Sequence, residues 1–72
     1  MMPGEVPYFV EGYVVRIVDM LNTAYVRVIN GNVYHVFPFT PGITFSELSV
    51  DKKVLLEVGS RLDRVYSAKI IE

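Results

Sequence analysis

The chain has 72 residues, 51% of them apolar, and no cysteine. That length holds one core, since a chain of this size buries only roughly 60% of its unfolded surface, and it excludes two domains, a disulfide framework and a thiolate zinc site. Seven Lys and Arg against eight Asp and Glu leave a formal net charge of −1, which excludes a globally cationic surface. Any attraction to nucleic acid has to come from local placement of Arg16, Arg27, Arg61, Arg64 and Lys69. The apolar runs fall far short of the roughly 18 residues of a membrane span. No basic patch and apolar stretch follow Met1, so a cytoplasmic address is expected.

Residues 1–9, MMPGEVPYF, hold two of the four prolines and read as an extended lead-in to a domain over 10–72. The run EGYVVRIVDM from Glu11 is rich in β-branched residues and predicts a first strand. In TAYVRVI, Ala24, Val26 and Val28 alternate with Tyr25, Arg27 and Ile29, so a second strand turns the first set to the core and Arg27 outward. Asn30-Gly31 accepts positive φ and predicts a tight hairpin into a third strand, VYHVF, which Pro38 ends.

Thr44 and Glu47 have the spacing of a capping box, with Phe45 and Leu48 on one face of a short helical turn. KKVLLEV is the fourth strand, burying Val54, Leu56 and Val58. After a turn at Gly59 and Ser60, VYSAKII is the fifth. The expected fold is therefore all-β: a five-stranded barrel of the OB (oligonucleotide/oligosaccharide-binding) type, with a short helical turn between strands three and four.

An enzyme is not expected. His35 is the only histidine and no nucleophile or orienting carboxylate accompanies it in a motif. Asp63 with Glu57, and Asp51 with Glu47, read as ordinary turn acids. Gly31, Gly42 and Gly59 are too scattered to cradle a phosphate. No cofactor, metal or small-molecule substrate is implied.

A face is implied instead. With Val26, Val28, Tyr34 and Val36 inward, Tyr25, Arg27, His35 and Phe37 lie together on the outer side of strands two and three, where bases can stack on rings. A register slip of one residue would exchange the two faces and make these rings core. Tyr13 and Arg16 on strand one are a secondary extension of the surface, because the first strand of a closed barrel often bends at a bulge and loses phase along it. Arg61 and Arg64 flank the turn between strands four and five, as solvated turn residues or as loop charges that clamp a backbone.

The run EGYVVRIV, Asn22-Thr23 leading into YVRVI, Asn30-Gly31, and DKKVLLEV resemble in their order the S-one-type OB-fold RNA-binding domain, nearest to the family of bacterial translation initiation factor one. The likeness spans residues 11–58 and rests on Gly12, Asn22, Thr23, Asn30, Gly31, Lys53 and Val54. It implies a monomeric barrel that binds ribosomal RNA without a catalytic step, with a ribosomal or other protein as a further partner. The segment FPFTPGITFSEL, which carries no Lys or Arg, and the end SAKIIE depart from that family's basic stretches. AYVRV and VYHVF also sit where the cold-shock domain carries its two aromatic motifs, though its glycine-phenylalanine signature is absent. The expected function is binding of RNA or single-stranded DNA in a translation-linked role, with no membrane partner. The alternative is a protein-interaction module that self-associates or docks on a partner through the same face.

Overall fold

Val, Ile and Tyr recur at alternate positions through most of the chain, and the backbone takes extended structure there. The computed structural model describes residues 6–59 and 64–71. It has five strands: β1 (Tyr8–Val18), β2 (Thr23–Val28), β3 (Val33–Val36), β4 (Lys53–Val58) and β5 (Val65–Ile70). All pairings are antiparallel, in the order β3-β2-β1-β4-β5, and the sheet curls into a half-barrel.

The concave side is the core. Val14, Ala24, Val26, Val36, Val54, Leu56 and Val58 are fully buried, joined by Val28, Tyr34, Leu48 and Ala68. Burying each larger aliphatic side chain contributes about 1.5–3 kcal/mol, the main favourable term open to a chain without disulfides. The inward sets expected on strands two, three and four are the ones observed. No described helix is long and apolar enough to cross a membrane.

The hairpin between β2 and β3 is looser than a two-residue turn. Gly31 N donates to Val28 O at 2.9 Å and Val28 N to Asn32 O at 3.0 Å, enclosing Ile29, Asn30 and Gly31. Gly31 alone of these has positive φ, at 92°. This is a three-residue loop closed by a glycine bulge, with Asn30 Oδ1 accepting from Asn32 N at 2.9 Å. Register is unaffected: Tyr25 stands opposite His35 and Val26 opposite Tyr34.

β1 carries the fold's main irregularity. Its N-terminal half pairs with β4 and its C-terminal half with β2, and its register to β2 shifts between Val14 and Arg16. Val15 is the extra residue of a bulge, which turns the strand and resets its phase. At Gly12 the strands come so close that a Cβ would lie 2.6 Å from Arg27 O, a spacing only glycine permits.

Strand ends differ from those expected. β1 begins at Tyr8, which pairs with Val58, and ends at Val18. Asp19–Leu21 forms a 3-10 turn closed by Asn22, whose φ of 49° is left-handed. The helical turn between strands three and four is one 3-10 turn, Phe45–Glu47. The Thr44 and Glu47 capping box does not form: Thr44 makes no side-chain cap bond, and Glu47 N bonds to the Thr44 carbonyl instead. Leu48 is already extended, so there is no second turn to cap. Phe45 and Leu48 still pack on the core together.

The sheet also stops short of the closed barrel expected. β3 and β5 approach each other but share no ladder. The link between them is made by the segment after β3, where Ala68 N donates to Pro41 O at 2.9 Å.

Candidate nucleic-acid interface

The convex side of β1, β2 and β3 is built by strand alternation. Because Ala24, Val26 and Val28 face the core, Tyr25 and Arg27 face out, and the register sets His35 beside Tyr25 and Val33 beside Arg27. The bulge at Val15 does the same on β1. Tyr13 stands opposite Arg27 and Arg16 opposite Tyr25, and both are exposed although they are three residues apart. Two rows result, Arg16–Tyr25–His35 and Tyr13–Arg27–Val33, with no carboxylate in either.

Of the acids in the described strands, Glu11 lines a groove with Tyr13 and Arg27 at the edge of this face, and Glu57 lies on β4. Glu11 is engaged by Lys53 Nζ at 3.0 Å and Glu57 Oε1 accepts from Ser67 Oγ at 3.1 Å. Lys69 stands on β5, opposite Leu55. A chain of net charge −1 thus keeps a locally cationic, aromatic surface.

The rings form a track along β3. Tyr25 and His35 have centroids 4.8 Å apart at 60°. His35 and Phe37 are 6.4 Å apart, edge to face at 81°. Phe37 and Phe39 are 5.1 Å apart and nearly parallel at 4°. His35 and Arg27 are exposed, whereas Tyr25 and Phe37 are half-buried because neighbouring rings cover them.

Phe39, outside the expected site residues, is 80% exposed and ends the track. It is held in a tight turn: Thr40 N donates to Phe37 O at 3.0 Å and Phe37 N to Thr40 Oγ1 at 2.9 Å. The signal was present as Phe-Pro-Phe-Thr, in which Pro38 occupies the turn position that a fixed φ favours. Such a turn brings the two phenylalanines to the same side.

Arg64 lies apart from this face. Its guanidinium carbon is 5.7 Å from the Tyr66 ring centroid, within reach of a cation–π contact. A cleft of about 610 Å³ separates these two from His35, Phe37 and Phe39. Of the seven expected site residues, the structure therefore gathers Arg16, Tyr25, Arg27, His35 and Phe37 on one surface and sets Arg64 across a cleft from it. Arg61 lies outside the described residues, as do Asp63 and Ser60. Compared with protein-family models, with curated proteins and with solved structures, the chain matches none.

Proposed function

We propose that this chain is a binding module for RNA or single-stranded DNA, performing no catalytic step, with the strand lying across the convex face of β1, β2 and β3. The observation that carries this reading is the unbroken track Tyr25–His35–Phe37–Phe39, flanked by Arg16 and Arg27, with the nearby Glu11 carboxylate engaged by Lys53. Rings offer sequence-tolerant stacking worth about 1–3 kcal/mol per base, and cations set along the path meet phosphates. The strand order β3-β2-β1-β4-β5 supports assigning the half-barrel to the OB type. The S-one-like order of residues over 11–58 supports a cytoplasmic, translation-linked role with a ribosomal RNA or protein partner.

The test is titration of labelled six- to ten-residue RNA and DNA strands by fluorescence anisotropy at roughly 50 and 200 mM salt. Binding should weaken markedly with salt. Tyr25→Ala combined with Phe37→Ala should abolish it while leaving cooperative unfolding in place. If the wild-type chain binds no strand, or binds independently of salt and self-associates in sedimentation, the face is a protein interface instead.

A further inference from the structure

We propose that the open seam between β3 and β5 is a pocket for one planar heterocycle, the base at the end of a bound strand, held between Phe39 and the Arg64–Tyr66 pair. This rests on the nucleic-acid reading above and adds a site that continues the convex track over the edge of β3.

The seam exists because β3 and β5 share no ladder, leaving the cleft between them. One wall is the stacked Phe37–Phe39 pair. An aromatic ring left 80% exposed contributes little to the core, and a ring with no further role would not need to be held still. The backbone that carries Phe39 is tied down, and its ring stacks on Phe37. The reciprocal bonds between Phe37 and Thr40 close its turn, buried Thr40 roots it, and the Pro41 carbonyl ties the segment to Ala68 of β5. Phe37 covers one face of the ring, and the other is presented to solvent.

The opposite wall supplies a second π surface and a cation. Arg64 sits over Tyr66, and its carbonyl accepts from Gly59 N at 3.2 Å, which fixes the start of β5. A flat ring bearing an adjacent anion matches both walls: one face stacks on Phe39, the other meets the planar guanidinium held over Tyr66, and the Arg64 charge pairs with the anion. A nucleotide has that chemistry, whereas a neutral sugar would leave the guanidinium unused.

The end of a strand is favoured by where the cleft lies. His35 and Phe37 share the convex face, but Tyr34 and Tyr66 have the inward phase of Val36 and Ala68, and all four of His35, Phe37, Tyr34 and Tyr66 line the cleft. The cleft therefore opens over the edge of β3. A strand following the track must leave the convex surface to enter it. A terminal base can do so with one turn of the backbone, but an internal base would need two.

The test uses six-residue strands carrying one abasic position stepped from end to end, titrated against the wild-type protein and the Phe39→Ala, Phe39→Leu, Arg64→Gln and Tyr25→Ala variants. Phe39→Leu keeps apolar bulk and removes the flat π face, and circular dichroism checks folding. Losing the base at one terminal position should weaken wild-type binding about tenfold. Phe39→Ala and Phe39→Leu should each lose a similar factor with the intact strand, then become indifferent to that abasic position while remaining sensitive to internal ones. Arg64→Gln should weaken the intact strand severalfold. If Phe39 variants bind like wild type while Tyr25→Ala is weakened, the pocket is refuted and the convex-face reading stands. Coupling between Phe39 and an internal position would refute the end assignment. No binding by the wild-type chain would remove both.

Discussion

Arg27 is an exposed cation between two fully or nearly fully buried valines, Val26 and Val28, and its strand phase leaves the guanidinium only the convex side. The nearest acid along β1, Glu11, is already engaged by Lys53. A planar cation in that position can pair with a phosphate or stack on a base. Arg27→Gln is therefore expected to weaken oligonucleotide binding severalfold and to make the slope of log affinity against log salt shallower by about 0.7. Anisotropy titrations over a salt series measure both. Unchanged affinity and slope, with altered sedimentation, would assign Arg27 to a protein contact.

At the scale of elements, the short turn after β3 does more than end the strand. Thr40 is buried and its hydroxyl accepts from Phe37 N, while its own N–H returns to the Phe37 carbonyl. Replacing it by a residue of the same shape without oxygen removes the acceptor and leaves a part-buried amide unpaired, at a cost of about 1–3 kcal/mol. Thr40→Val should lower the urea midpoint accordingly. It should also weaken strand binding, because Phe39 loses its fixed position while every ring remains present. A stability loss with unchanged affinity would show that the turn serves the fold alone.

Over the whole molecule, the distribution of charge matters more than its sum. The two acids of the described strands are engaged, Glu11 by Lys53 and Glu57 by Ser67, while Arg16 and Arg27 lie beside the rings and Arg64 stands at the cleft. If these three each meet one phosphate of a single strand, the salt slope should be about −2, at about −0.7 per contact. A slope near zero would remove the arginines from the interface. A slope steeper than about −4 would require cations beyond these three.

Strand phases, the pairing of β2 with β3 and the inward valines are written in the order of the residues. These are local properties: side chains alternate at period two, and a turn glycine between two alternating runs sets which residues face each other. That is why Tyr25, Arg27, His35 and Phe37 were legible as one surface. Tertiary structure decided the rest. The bulge at Val15, which brings Arg16 beside Tyr25, follows from β1 having to pair with β4 along one half and β2 along the other, a demand no window of the chain contains. The helical turn stopped after Phe45–Glu47 because Leu48 is drawn into the core in extended form, overriding the capping box. Phe39 and Arg64 became parts of one cleft only because the sheet curls without closing. The distance between β3 and β5 is set by the accumulated twist of five strands and by the Pro41–Ala68 bond, not by either segment alone.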